Sequence, residues 1–79
     1  MIDFDLLAKI TEAPGAPGHE QRIRSLIHQH IKDFCDDCYV DRMGNLIALK
    51  KGRNEGKLLI AAHMDEIGFV VSHIDKEGF

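Results

Sequence analysis

Between residues 21 and 34 the apolar side chains Ile23, Leu26, Ile27, Ile31 and Phe34 fall at offsets 0, 3, 4, 8 and 11. That spacing follows one face of a 3.6-residue helix. Glu20, Arg24, His28 and Lys32 take the opposite, wetter side. The pattern predicts an amphipathic helix starting near His19 or Glu20 and running to about Asp33. A shorter stripe of Leu6, Leu7 and Ile10 predicts a first helix from about Phe4 to Thr11, with Asp3 able to cap it and Asp5 in the favourable first turn. Pro14-Gly15 and Pro17-Gly18 break the chain twice between the helices, so Ala13 to Gly18 reads as an ordered turn.

Beyond the second helix the period becomes strand-like. Cys38 to Asp41 is a plausible short strand, Arg42-Met43-Gly44-Asn45 turns, and Leu46 to Lys50 returns. Gly44 is the natural residue for a positive φ in that turn. Lys51 to Gly56 is a polar loop. Lys57 to Ala62 is apolar after its first residue and too short for a typical helix, which predicts a strand buried on both faces. Gly68 to Ile74 predicts a further strand, with His73 on the side of Phe69 and Val71, and Asp75 to Gly78 a hairpin-like turn. The expected fold class is α/β: two N-terminal helices packed on one face of a mixed β-sheet. Phe79 follows the last turn directly, where a returning strand would begin, and this leads to the expectation that the chain is part of a longer one.

Composition narrows the partners. A net charge of −3 with 10 Lys and Arg scattered along 79 residues offers no electrostatic footing for nucleic acid or an anionic membrane. No run approaches the roughly 18 apolar residues of a spanning helix, and the first residues lack the basic and apolar regions of a secretory signal. A cytoplasmic protein is the expectation. Cys35 and Cys38 form a C-x-x-C, but they follow a helix instead of opening one, and Asp36 and Asp37 lie between them. Two incidental reduced thiols are the simpler reading; a zinc site would require two more ligands, and His28 and His30, two residues apart, face different sides of their helix.

The chemistry concentrates at His63-Met64-Asp65-Glu66, where an apolar run ends abruptly in polar residues. In sheets with parallel strands, ligand sites gather at that end of a strand. His63 and Asp65 are two apart, so in extended backbone their side chains emerge on one side and Met64 points to the core. Such a pair suits a metal-binding imidazole whose other ring nitrogen is held by a carboxylate. The same residues also suit a hydrogen-bonded structural histidine, with Asp65 merely capping the next turn.

Ala61-Ala62-His63-Met64-Asp65-Glu66-Ile67-Gly68-Phe69 closely resembles the first signature of the glutamyl aminopeptidase and tetrahedral aminopeptidase family of dinuclear metallopeptidases. Ala13 to Glu20 is similar to that family's N-terminal turn, and Asp41-Arg42-Met43-Gly44-Asn45-Leu46 to its Asp-x-x-Gly-Asn-Leu turn. The resemblance implies the N-terminal portion of such an enzyme: residues 1–68 as the first part of a zinc-peptidase-like catalytic domain, and 69–79 as the start of an inserted β-rich dimerisation domain. It implies His63 as a metal ligand and Asp65 as the aspartate that orients it and counts as catalytic. It further implies two divalent metal ions per active site, zinc or cobalt, a peptide substrate, and a homo-oligomer that can reach a dodecamer. The other ligands and the general base would follow Phe79, so the 79-residue chain alone is expected to be inactive. Two alternatives stand beside this reading: a non-catalytic interaction module that pairs its strand edge with another chain, and a related two-metal hydrolase of an acylated amine or a glucan.

Overall fold

A computed structural model describes residues 2–79. Helix α1 spans Phe4–Glu12 and helix α2 spans Gln21–Ile31, continued by a 3₁₀ turn at Lys32–Phe34. Strands β1 (Asp37–Val40) and β2 (Leu46–Leu49) follow. The first helix begins where the sequence places its cap: Asp3 Oδ1 accepts the Leu6 N–H at 3.0 Å. It ends at Ala13, whose ψ of 135° is the extended conformation that the following Pro14 favours. Leu6 and Ile10 are half-buried, while Leu7 remains 46% exposed.

Helix α2 carries the centre of the core. Ile23 is 2% exposed and is the one fully buried apolar side chain among the described residues. Leu26, Ile27 and Ile31, at helical spacing from it, are half-buried. The β1–β2 pair is an antiparallel hairpin in which Asp37 faces Leu49 and Val40 faces Leu46. Asp36 extends it at the open end, giving its N–H to the Leu49 carbonyl at 2.8 Å and receiving the Lys51 N–H on its carboxylate. At the closed end Gly44 has φ +87°, the left-handed value expected for it, and its N–H donates to the Asp41 carbonyl at 3.1 Å.

The α/β class is what the structure displays, but its sheet is smaller than expected. Among the described residues it holds only the antiparallel pair. Residues 57–62 and 68–74, both expected as strands, form no ladder. Leu58, Leu59 and Ile60 are 85–88% exposed and Phe69 fully so, which corrects the expectation of a strand buried on both faces. The reason is physical: a strand exists only through a neighbour's N–H and C=O groups, and among the described residues no segment pairs with either stretch in a ladder. The radius of gyration, 16.6 Å, accordingly exceeds the roughly 12 Å of a compact domain of this length. Accessible surface tells the same story, 7714 Å² against about 4,800 Å² for a compact chain of this mass. The final turn does form: Asp75 Oδ1 accepts the N–H groups of Glu77 and Phe79, both at 2.9 Å.

Candidate functional site

The local spacing of His63 and Asp65 produces the contact that it suggested. His63 Nδ1 lies 3.0 Å from Asp65 Oδ1 and 3.0 Å from the Asp65 carbonyl oxygen. Both partners are acceptors, so Nδ1 must carry the hydrogen. In the neutral ring this leaves the lone pair on Nε2, which is the arrangement of a histidine ready to bind a cation. The His63 side chain is largely exposed and that of Asp65 is half-buried, so the ring is anchored on one edge and open on the other. The chemistry of the donor set therefore fits one metal ligand with its orienting carboxylate. It does not complete a site: among the described residues no group of three or more His, Cys, Asp or Glu side chains could hold a metal ion.

The pair borders a cleft of about 340 Å³ between the segment Leu59–Asp65 and the hairpin turn, Met43–Ile47. Glu20, at the start of α2, lines it too. Its carboxylate is turned back on the preceding loop and accepts the Gly18 N–H at 2.7 Å. Behind the pair, the Glu66 N–H donates to the Gly15 carbonyl at 2.8 Å, joining the site segment to the N-terminal loop. Neither the Gly15 link nor the place of Glu20 on the cleft was foreseen from sequence. The Pro14-Gly15 dipeptide was the available signal, though it announces a turn and not what the turn touches.

The hairpin turn beside the cleft is held by Asp41. Its carboxylate accepts the Met43 N–H at 3.0 Å, the Asn45 N–H at 2.9 Å and the Asn45 side-chain amide at 3.0 Å. These bonds, the Asn45 side chain's first, hold the Asp41 carboxyl below its ordinary value. The other candidate groups stay apart from the site. His30 Nδ1 donates to the Leu26 carbonyl of its own helix at 2.9 Å. Cys35 and Cys38 are half-buried free thiols, and Cys35 Sγ donates to the Ile31 carbonyl. Desolvation, then the neighbouring Cys35 and Asp37, raise the Cys38 thiol above its ordinary value, the direction that opposes redox reactivity.

Comparison with known proteins bears on the family. The profile of the M42 glutamyl aminopeptidase family matches residues 44–79, the stretch from the hairpin turn through His63 and Asp65. A provisionally named aminopeptidase of Acetivibrio thermocellus is 51% identical over 76 residues, which is 96% of this chain and 23% of that protein. The lysyl aminopeptidase of Pyrococcus furiosus is 46% identical over 80 residues, 100% of this chain and 23% of its own length. The glutamyl aminopeptidase of Lactococcus lactis subsp. cremoris is 31% identical over 77 residues, 95% of this chain and 22% of its length. The chain thus spans about a quarter of the curated relatives it matches. With the signature around His63, the turn at Gly44 and relatives of this name along nearly all its length, the chain belongs to the M42 glutamyl aminopeptidase family.

Proposed function

We propose that these 79 residues are the N-terminal segment of a metal-dependent aminopeptidase that removes N-terminal residues from peptides. The observation that carries the reading is the His63 Nδ1 contact with Asp65, which leaves Nε2 free to bind a cation at the edge of a cleft. In this reading residues 1–68 begin the catalytic domain and residues 69–79 lead into an inserted β-rich dimerisation domain. The same reading makes the full protein a cytoplasmic homo-oligomer, as the family resemblance implies.

His63 would hold one of two divalent ions, zinc or cobalt, through Nε2. When bound, such ions would supply Lewis-acid activation of water and of the scissile carbonyl. Asp65 fixes the tautomer and direction of the His63 ring, which removes rotamer freedom that binding would otherwise have to freeze. The cleft beside them, about 340 Å³, is walled by Leu46, Ile47, Leu59 and Ile60. The 79 residues alone supply a single ligand, and so are expected to be inactive.

The test is a graft. These residues replace the matching segment of the Pyrococcus furiosus lysyl aminopeptidase, and hydrolysis of lysyl p-nitroanilide is followed with and without a chelator. Metal-dependent hydrolysis by the graft, its loss in His63→Ala, and no activity from the 79-residue chain alone support the reading. A graft that folds but is inactive, or a His63→Ala graft as active as the parent, sinks it.

A further inference from the structure

We propose that Gly15 is a positioning residue that locks the His63–Asp65 pair against helix α2, so that the loop between the helices is a working part of the site. The inference rests on the reading of His63 as a metal ligand and deepens it.

Three observations converge on Gly15. Its carbonyl accepts the N–H of Glu66, the residue after Asp65, at 2.8 Å. Gly15 is buried, and a Cβ added to it would lie 3.0 Å from Ile23 Cγ2 and 3.4 Å from the Met64 carbonyl oxygen. One residue on, the Ala16 Cβ lies 3.7 Å from where a Cβ on Gly68 would stand. The loop is therefore sandwiched between the one fully buried side chain of α2 and the backbone on either side of Asp65. Glycine at position 15 serves closeness of approach, since its φ is not in the left-handed region and an added Cβ would make its neighbours give by a few tenths of an ångström. The loop is itself braced, by Pro14 and Pro17, by the His19 N–H on the Ala16 carbonyl at 2.8 Å, and by the Glu20 carboxylate on the Gly18 N–H at 2.7 Å.

The consequence follows from how little else restrains the site. Residues 57–62 and 68–74 have no ladder partner, so nothing in the sheet sets the position of His63. The local His63–Asp65 bond fixes the ring relative to Asp65, but not the pair relative to the body. The Glu66–Gly15 hydrogen bond and the seat of Met64 on Gly15 do that. A methyl group at position 15 meets Ile23 at a distance that real Cβ contacts rarely show, and either the core residue or the site segment must give way.

Two arms test this on separate footings. In the 79-residue chain, backbone amide exchange and the three-bond couplings that report χ1 of His63 and Asp65 are measured by NMR for the parent, Gly15→Ala and Gly52→Ala. Gly52 has nothing within 4 Å of an added Cβ and serves as the neutral control. Gly15→Ala is expected to speed exchange at Glu66 by about two- to tenfold, the worth of one hydrogen bond. It should also average the His63 and Asp65 couplings toward free rotation, leaving the β1–β2 amides unchanged. Should Gly15→Ala unfold the chain, replacing the Glu66 amide by an ester removes the donor without touching α2, and the same coupling change is expected. Unchanged couplings in the ester, or in a folded Gly15→Ala, overturn the proposal. In the aminopeptidase graft, Gly15→Ala is expected to lower kcat by about ten- to a hundredfold with KM held within about twofold, and Gly52→Ala to change neither. A graft inactive even with Gly15 present overturns the metal-ligand reading and leaves the NMR arm to decide the positioning role.

Discussion

Truncating Ile23 to alanine tests the core on which the site rests. At 2% exposure Ile23 has no more surface to lose, and the substitution removes three carbons from the only fully buried apolar side chain among the described residues. Such truncations cost about 2–5 kcal/mol. The lower end applies here, about 2–3 kcal/mol, because Leu26, Ile27 and Ile31 around it are half-buried and water or neighbours can fill the space. A chain of this length with so small a core sits near the low limit of about 0.05 kcal/mol per residue, or about 4 kcal/mol in all. Ile23→Ala should therefore remove about half to three quarters of the stability. Urea unfolding followed by far-UV circular dichroism measures the difference, with Leu7→Ala as the comparison. Leu7 is 46% exposed, so its truncation should cost about 1 kcal/mol. Equal effects of the two substitutions, or a parent chain with no cooperative transition, would refute Ile23 as the centre of a folded core.

Three further outcomes follow from particular contacts. The Asp41 carboxyl lies below its ordinary value of 3.8, so its contribution to the hairpin turn is present above that pH and lost as pH falls through the lowered value. The amide shifts of Met43 and Asn45 should move together in that acid range, and in Asp41→Asn that joint acid transition should vanish; its persistence there would assign it to another group. Cys38, whose thiol is raised by desolvation, Cys35 and Asp37, should be alkylated by iodoacetamide at neutral pH more slowly in the folded chain than in urea; faster reaction when folded would contradict the burial argument. In the aminopeptidase graft, Asp65→Asn should reduce activity or metal affinity by about ten- to a hundredfold, as expected for the partner that orients a ligating histidine, whereas an effect under about twofold would remove Asp65 from that role.

Legibility in the sequence tracked the range of the interaction. The Asp3 cap, the left-handed Gly44 and the Asp75 turn are all made within four residues, and each is readable from spacing and side-chain chemistry. For His63 and Asp65 the spacing places the two side chains together, and the bond itself comes from the structure. The periodicity of Ile23 to Phe34 announces a helix to about Asp33, because a helix satisfies its own backbone; that its last turn is 3₁₀, at Lys32–Phe34, is added by the structure. Residues 57–62 were different. An apolar run states a demand for burial but says nothing of the partner that meets it, and none of the described segments does so. The Glu66–Gly15 bond joins residues 51 apart in the chain and leaves no periodic trace.

The most direct measurement is X-ray absorption at the metal edge, with a crystal structure using anomalous scattering, on the aminopeptidase graft carrying these residues. A metal bonded to His63 Nε2, with Nδ1 still held by Asp65 and the signal lost in His63→Ala, is the expected result. A graft that binds metal elsewhere, or through His63 Nδ1 with Asp65 displaced, would contradict the assignment of this pair as ligand and orienting carboxylate.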